Sequence, residues 1–132
     1  MKRVLQPKDW PAPKGYANGI AARGTIVFVA GQIGWNGKTG AFETDDFVGQ
    51  LRQALANVVA VLADAGAKPE HITRFTWYVT DKQEYLARLP DVGRAYREVI
   101  GKHYPAMALL EVKGLVEDRA KIEIEATAVI PD

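Results

Sequence analysis

The sequence predicts an α+β fold in which two helices cover one face of a mixed six-stranded sheet. Residues 121–130 alternate apolar and polar side chains, as a strand with one buried face does. Residues 46–65 instead repeat apolar side chains at intervals of three and four, which is the pattern of an amphipathic helix. Strand-like stretches precede, separate and follow this helix and a second one, and that order of elements is typical of an α+β protein.

The N-terminal part of the chain predicts three strands. Residues 1–6 are expected to form a short edge strand, and the prolines that follow them keep the chain extended but outside a central strand. A second strand is expected over residues 17–23 and, after a tight turn, a third over residues 25–30. Residues 31–34 contain two glycines, which end this strand and allow the backbone to approach another molecule closely.

Both helices carry start and stop signals. The first, over residues 46–65, follows acidic capping residues and ends before Gly66. Its apolar stripe is Phe47, Leu51, Leu55, Val58 and Leu62. A strand over residues 72–80 follows, then Asp81 opens a short helical turn, and a second helix is expected over residues 90–102. The predicted buried stripe of this helix is Leu89, Val92, Tyr96, Val99 and Ile100.

The last two predicted strands, residues 106–112 and 121–130, form the expected centre of the sheet. The connection around Gly114 is short enough for them to pair as an antiparallel hairpin. Glu123 and Glu125 lie on one face of the last strand, and carboxylates are unfavourable in the middle of a strand. That face is therefore expected to meet water, a cation or a ligand.

The sheet has more apolar surface than two helices can cover. Two helices cover one face only, yet Val27, Val29, Met107 and Leu109 are expected to make the other face apolar as well. Another copy of the chain is the simplest cover for such a face. The sequence therefore predicts an obligate homo-oligomer.

Composition narrows the class of protein. A chain of 132 residues with 48% hydrophobic and 25% charged residues is expected to form a single globular domain, residues 1–132. The net charge of +1 predicts no nucleic-acid groove and no binding to an anionic membrane. The absence of cysteine excludes disulfides, zinc-thiolate sites and thiol nucleophiles. No apolar run has the length of a signal peptide or a membrane span, so a cytoplasmic protein is expected.

Several ordered motifs resemble the RidA/YjgF family, also labelled endoribonuclease L-PSP. The most specific is the ending Lys-Ile-Glu-Ile-Glu-Ala at residues 121–126, and the others are Gly15-Tyr16, Val-Ala-Gly-Gln-Ile at 29–33, the polar positions Gln50, Arg52, Gln53 and Asn57, Ala65-Gly66, Tyr-Pro-Ala at 104–106, and Glu111-Val112. The resemblance implies a chorismate-mutase-like fold and a homotrimer whose sheets form a central barrel, with clefts between adjacent subunits.

The resemblance also implies an activity, the hydrolysis of reactive enamines and imines to ketones and ammonia without a metal or organic cofactor. Tyr16 and the Gly31 backbone match residues that line the cleft, and Glu123 matches the glutamate thought to position the attacking water. The family's arginine after Pro-Ala is replaced by Met107, whose thioether cannot form a bidentate ion pair with the carboxylate of a 2-imino acid. Gly93 stands where the family has an asparagine. The chain therefore looks like an arginine-lacking branch.

Each candidate residue also has a structural interpretation. Glu123 could instead be a solvated partner of Lys121 or Arg119, and Tyr16 could serve packing alone. Trp35 is either an aromatic wall for a ligand or an interface anchor. Glu111, in a predicted strand on the same side as Met107, is a candidate for a site role or a structural one.

Two functions remain open from the sequence. The first is cofactor-independent deamination of a small imine or enamine other than simple 2-iminopropionate. The alternative is a non-catalytic trimeric module that binds small molecules or proteins. A metal site is not expected, because nothing pairs His71 and His103 as ligands. A ribonuclease is disfavoured, because neither a cationic surface nor paired acid and base groups near a phosphate site are visible.

Overall fold

The computed structural model describes residues 1–132 and contains six strands and three α-helices. In chain order the elements are β1 (Lys2–Leu5), β2 (Gly19–Ala22), β3 (Thr25–Ile33), α1 (Phe47–Asp64), β4 (Ile72–Val79), α2 (Lys82–Ala87), α3 (Leu89–Val99), β5 (Ala106–Glu111) and β6 (Ile122–Ile130). A single 3₁₀ turn, Pro69–His71, leads into β4. The predicted α+β class with a mixed sheet is confirmed.

The six strands are divided between two sheets. Four of them form a sheet in the order β3-β6-β4-β5, in which β4 and β5 are parallel and the other neighbours are antiparallel. The strands β1 and β2 pair with each other in a separate antiparallel ribbon. A single bridge between Ala17 and Ala106 connects the segment before β2 to the edge strand β5. The prediction of one continuous six-stranded sheet is therefore corrected to four strands plus a bridged ribbon.

The predicted C-terminal hairpin is wrong. The strand β5 pairs in parallel with β4, while β6 lies between β3 and β4 and does not contact β5 as a ladder. The backbone N–H of Val112 donates to the Val79 carbonyl at 2.8 Å, and that of Thr80 donates to the Lys121 carbonyl at 3.2 Å. The end of β4 thus lies between the two C-terminal strands. The loop that joins β5 to β6 is long enough to pass around β4, so the two strands need not be neighbours. The alternation of side chains along a strand does not identify which strand lies beside it.

Helix α1 matches its predicted pattern. The side chain of Asp46 caps it, since its Oδ2 accepts a hydrogen bond from the Gly49 N–H at 3.0 Å. This bond, reinforced by Arg88, holds the pKa of the Asp46 carboxyl below its usual value. Gly66 follows the helix with φ of 76°, a conformation that favours glycine. The whole predicted stripe is buried: Phe47, Leu51, Leu55, Val58 and Leu62.

The second predicted helical region consists of two helices. Asp81 caps α2, accepting a hydrogen bond from the Gln83 N–H at 3.0 Å, and α3 begins at Leu89 with Pro90 in its first turn. Val92, Tyr96 and Ile100 are buried as predicted, and Val99 is half-buried. The prediction for Leu89 is wrong: it is 46% exposed, because the first residue of α3 lies at the rim of a cavity rather than under the helix.

Helices α1 and α3 pack on the same face of the four-stranded sheet. Met107 and Leu109 lie on this helix-covered face, because they stand opposite Phe75 and Trp77 in the β4–β5 register. Their predicted placement on the second face is therefore wrong, and so is that of Val27 and Val29, which also pack against the core. Alternation separates the two faces of a strand correctly but does not say which of them the helices cover.

The second face is nevertheless apolar, through other residues. It is called the open face below, and its exposed apolar side chains are Ile26, Phe28 and Leu110, with exposed fractions of 57%, 77% and 44%. Nothing in the chain covers them. No helix in the chain combines the length and the apolar character needed to cross a bilayer.

Candidate functional site

Gly31 and Glu123 lie together where β3 contains a bulge. The β3–β6 register shifts between Val29 and Gln32, so Gly31 belongs to a strand that continues to Ile33, rather than to the predicted break after Ala30. A Cβ atom built on Gly31 would lie 2.8 Å from the carboxylate carbon of Glu123. Only glycine therefore permits the carboxylate to lie against this backbone.

The carboxylate of Glu123 has no hydrogen-bond or ion-pair partner within the chain. The two cations considered as its partners bind other acids: Lys121 lies 3.7 Å from Glu84, and Arg119 lies 2.9 Å from Asp45. Glu123 itself is half-buried on the open face, opposite Tyr78 in β4. Its acceptor oxygens are therefore available to a water molecule or a ligand.

Two buried amides on α1 hold the strands that carry this pair. The Oε1 atom of Gln50 accepts a hydrogen bond from the Lys121 N–H at 2.8 Å, two residues before Glu123. The Nδ2 group of Asn57 donates to the carbonyls of Ile33 at 3.1 Å and Trp35 at 2.8 Å, just after the bulge. Both side chains are buried and satisfied, so they fix the two strands relative to the helix. Sequence reasoning gave them no role, although two amides seven residues apart in an apolar stripe indicate buried partners.

A groove of about 760 Å³ runs along the open face, beside Phe28, Arg74, Tyr78 and Leu110. The hydroxyl of Tyr78 donates a hydrogen bond to Glu125 Oε1 at 2.7 Å. The carboxylate favours the protonated phenol, so the pKa of Tyr78 is raised. The groove therefore combines exposed apolar side chains with Glu125, one of whose carboxylate oxygens already accepts a hydrogen bond from Tyr78.

Tyr16 and Met107 lie together on a different part of the chain. Both line a shallow cavity of about 280 Å³ at the edge strand β5, with Asn18 and Arg74. The Ala17 N–H donates to the Pro105 carbonyl at 2.9 Å, and this bond holds the Tyr16 segment beside β5. Met107 also lines a larger cavity between α2, α3 and β5, with a volume of about 380 Å³.

This larger cavity, called the aromatic cavity below, has a mainly apolar wall. Its aromatic lining residues are Trp77, Tyr85, Tyr96 and Tyr104. The rings of Tyr96 and Tyr104 stack with centroids 5.4 Å apart, and the Tyr96 hydroxyl donates to the His103 carbonyl. Burial raises the pKa of Tyr96 and of Tyr85, so both phenols are neutral at pH 7.

The remaining candidates lie outside both groups. Glu111 is exposed at the end of β5, and its Oε1 accepts a hydrogen bond from the Lys82 N–H at 2.9 Å, which secures the first turn of α2. Trp35 packs against Phe42 with ring centroids 6.0 Å apart. Neither side chain lines the aromatic cavity or the open-face groove. No group of three or more His, Asp or Glu side chains is arranged to hold a metal ion.

The predicted site residues therefore fall into two pairs, called half-sites below. Gly31 and Glu123 lie at the open face, whereas Met107 lies on the helix-covered face, one strand beyond β4, and Tyr16 lies beside it at the sheet edge. From the sequence, all four of these residues were expected to line one cleft. Within a single chain the structure brings together only the members of each pair.

Comparison with known proteins decides the family. Residues 8–130 match the family model described as Endoribonuclease L-PSP. The chain belongs to this family, which is also known as RidA/YjgF. A 2-iminobutanoate/2-iminopropanoate deaminase from Salmonella typhimurium is 35% identical, with 98% of each chain covered. A RutC family protein from Pyrococcus horikoshii is 37% identical over 97% of this chain and 98% of its own.

Solved structures agree with this membership. The Rid family protein YyfB from Yersinia pestis has a TM-score of 0.85 and 29% identity, with 98% of each chain covered. A structure of Escherichia coli TdcF with bound serine has a TM-score of 0.69 and 30% identity over 97% of this chain and 98% of its own. The RidA/YjgF resemblance of the sequence is thus confirmed, and imine deamination is the activity named for relatives of this chain.

Proposed function

We propose that this RidA/YjgF member hydrolyses a reactive imine or enamine without a cofactor, at a cleft completed by a second copy of the chain. The observation that carries the proposal is the unpartnered Glu123 carboxylate lying against the Gly31 backbone. A carboxylate with free acceptor oxygens, next to backbone that no side chain shields, suits the positioning of a water molecule. Family membership and the deaminase names of relatives support the reaction class.

The proposed reaction needs little machinery. The imine occupies the cleft and is oriented by the polar backbone groups around Gly31. Glu123 accepts a hydrogen bond from water and directs its oxygen onto the imine carbon, so that a carbon–oxygen bond forms as the π bond between carbon and nitrogen opens to give a carbinolamine. The carbinolamine then forms the carbonyl double bond as its carbon–nitrogen bond breaks. The water supplies the oxygen of the ketone and the protons that leave with nitrogen as ammonia.

Assembly as a homotrimer is part of the proposal. Ile26, Phe28 and Leu110 form an apolar surface that water would otherwise contact, and burial against other copies removes that cost. The separation of the two half-sites supports the same idea. In a barrel of three sheets, Glu123 of one subunit would complete a cleft with Tyr16 and Met107 of the next.

Because of Met107, we propose a substrate other than simple 2-iminopropionate. Its thioether provides no charge for the carboxylate of that substrate, whereas relatives are named for 2-iminobutanoate and 2-iminopropanoate. We expect the wild-type protein to prefer a different imine. Introducing a guanidinium with Met107→Arg should create or increase hydrolysis of 2-iminopropionate, and no gain would mean that cleft shape separates this chain from its relatives.

The test is an imine-hydrolysis assay with Glu123→Gln. Imines are generated by an amino-acid oxidase from a panel of amino acids, and loss of the imine is followed by competition with semicarbazide. We expect wild-type acceleration with at least one imine and a drop of about a hundredfold or more in the variant, as for loss of a general base. The matched control is Glu117→Gln, an exposed acid in the loop before β6. Equal rates for wild type and Glu123→Gln would reject the role of Glu123.

A non-catalytic binding module is the second candidate. The observation that favours it is the apolar environment of Met107, which gives a pocket without the family's arginine. Thermal stabilisation by imines or keto acids, with no turnover of any imine in the panel, would favour this function over the first.

A further inference from the structure

Arg97 is the only charged residue that lines the aromatic cavity. It lies on α3, and the remaining wall is formed by aromatic and aliphatic side chains and two glycines. No carboxylate lies in this wall. A guanidinium in such a setting is an unused set of hydrogen-bond donors next to apolar surface.

The position of this guanidinium depends on Gly93, one helical turn earlier. A Cβ atom built on Gly93 would lie 3.1 Å from Arg97 Nη1 and 3.9 Å from its Cζ, so the guanidinium lies over the space that a side chain at position 93 would fill. Arg97 is exposed, and its side chain forms no ion pair and no hydrogen bond within the chain. By contrast, Arg94 on the same helix lies 2.9 Å from Asp91.

A second donor without a partner belongs to Trp77, another residue that lines the cavity. Trp77 is 2% exposed, and its Nε1–H is the one buried side-chain polar group in the chain without a hydrogen-bond partner. A buried donor without an acceptor is costly, and native proteins usually leave one only where a ligand, ion or water supplies the acceptor. Among the lining side chains the only formal charge is therefore positive and no carboxylate opposes it, which is the polarity that suits an anion.

We propose that the aromatic cavity binds a carboxylate whose other end is an aromatic or bulky apolar group, and that Arg97 anchors the carboxylate. This deepens the proposed function and rests on it for the chemistry: the substrates would be 2-imino acids with a large apolar side chain. Arg97 thus supplies, from the helix, the charge that Met107 does not supply from the strand. A volume of about 380 Å³ accommodates an aryl group, whereas a methyl group would leave most of the wall uncovered.

The experiment measures binding first, without turnover. Phenylpyruvate, the stable keto acid related to such an imine, is titrated into the full-length protein by calorimetry, beside pyruvate and the uncharged methyl ester of phenylpyruvate. We expect phenylpyruvate to bind at least tenfold more tightly than either, because only it engages both the charge and the apolar wall. Arg97→Gln should weaken phenylpyruvate binding by about tenfold or more and leave the methyl ester unchanged.

Matched variants control for folding and for net charge. Arg94→Gln removes a cation from the same helix and should leave phenylpyruvate binding unchanged. Arg97→Lys retains the charge but not the fork of donors, and should lie between wild type and Arg97→Gln. Far-UV circular dichroism and thermal melting establish that the variants are folded.

Two binding results overturn the inference: wild-type affinities for phenylpyruvate and pyruvate that are equal, or an Arg97→Gln affinity that matches wild type. Imine hydrolysis is then measured separately on the same proteins. Arg97-dependent binding with no turnover of any imine would contradict the proposed deaminase activity and support Arg97 as the carboxylate anchor. Turnover that is identical in wild type and Arg97→Gln for every imino acid would support the deaminase activity and contradict the role of Arg97 as the anchor.

Discussion

The two faces of the four-stranded sheet are used in different ways. On the helix-covered face, Phe75, Trp77, Ile122 and Ile124 are at most 2% exposed, whereas Phe28 on the open face is 77% exposed. The first face is completed within the chain, by α1 and α3. The second carries apolar side chains together with Glu123 and Glu125 and is left without a cover. Folding of one chain therefore depends on the first face, and we propose that assembly and chemistry depend on the second.

The position of the acids supports this division. Glu123 and Glu125 alternate with Ile122 and Ile124 along β6, so a single strand supplies buried methyl groups to one face and carboxylates to the other. A carboxylate on the covered face would be desolvated by the helices, at a high cost. On the open face it can retain water or bind a ligand.

The largest expected effect is on the covered face. Leu55→Ala removes a fully buried side chain from α1 and leaves a cavity, which should lower the free energy of unfolding by about 2–5 kcal/mol. Urea denaturation at a fixed protein concentration measures this loss. The control is Val61→Ala on the same helix, where the side chain is 39% exposed and the loss should be clearly smaller. Equal losses would mean that burial in the core does not set stability.

On the open face, Phe28→Asp should abolish assembly while the chain stays folded. The new charge would have to be buried against the other copies, and burying an unpaired carboxylate is unfavourable. Analytical ultracentrifugation should show the wild type as an oligomer and the variant as a monomer, with an unchanged far-UV circular dichroism spectrum. Imine hydrolysis should fall with the oligomer.

Val116→Asp is the matched control, because Val116 is 98% exposed in a loop away from the sheet. It should assemble as the wild type does. A wild-type protein that sediments as a folded monomer at micromolar concentration would contradict the division between the faces and the shared cleft together.

Gly31→Ala tests the half-site formed by Gly31 and Glu123, and is a smaller change than Phe28→Asp. The added methyl group would collide with the Glu123 carboxylate and displace it, while the exposed position spares the core. We expect kcat/KM for the best imine to fall at least tenfold, with a loss of stability of about 1 kcal/mol or less. Gly114→Ala is the control, since a Cβ atom there meets nothing within 4 Å. Unchanged kcat/KM in Gly31→Ala would remove Gly31 from the site.

Helices were more predictable from the sequence than strand pairing. The stripe of α1 and its Asp46 cap depend on spacing and local hydrogen bonds, which the sequence states directly. Strand pairing depends on which distant segments meet. Alternation is the same for every partner, so neither the place of β6 beside β4 nor the helix-covered face of Met107 followed from the pattern.

The candidate site divides in the same way. Resemblance to the family identified Gly31 and Glu123, and the structure puts them in contact distance. It also suggested that Met107 leaves the pocket without a cation. Nothing in the sequence pointed to Arg97, because a charged residue at an exposed helix position is ordinarily solvated. Only the fold brings it to the cavity that Met107 lines.

The smallest expected effect concerns His103, which lies between α3 and β5. Its Nε2 atom lies 2.7 Å from the Ile72 carbonyl, so the neutral ring donates a hydrogen bond there. Burial lowers the pKa of His103 below its ordinary value of 6.5. As the pH falls below that value, the unfolded chain binds a proton more readily than the folded one, so the free energy of unfolding falls.

His103→Gln should flatten this pH dependence, because glutamine keeps an N–H donor and does not titrate. Urea denaturation of wild type and variant at pH 7.5 and pH 5.5, at one protein concentration, measures the difference between the two slopes. A wild-type protein that is more stable at pH 5.5 than at pH 7.5, with the difference lost in His103→Gln, would mean that the folded state favours the imidazolium, contrary to the burial of the ring.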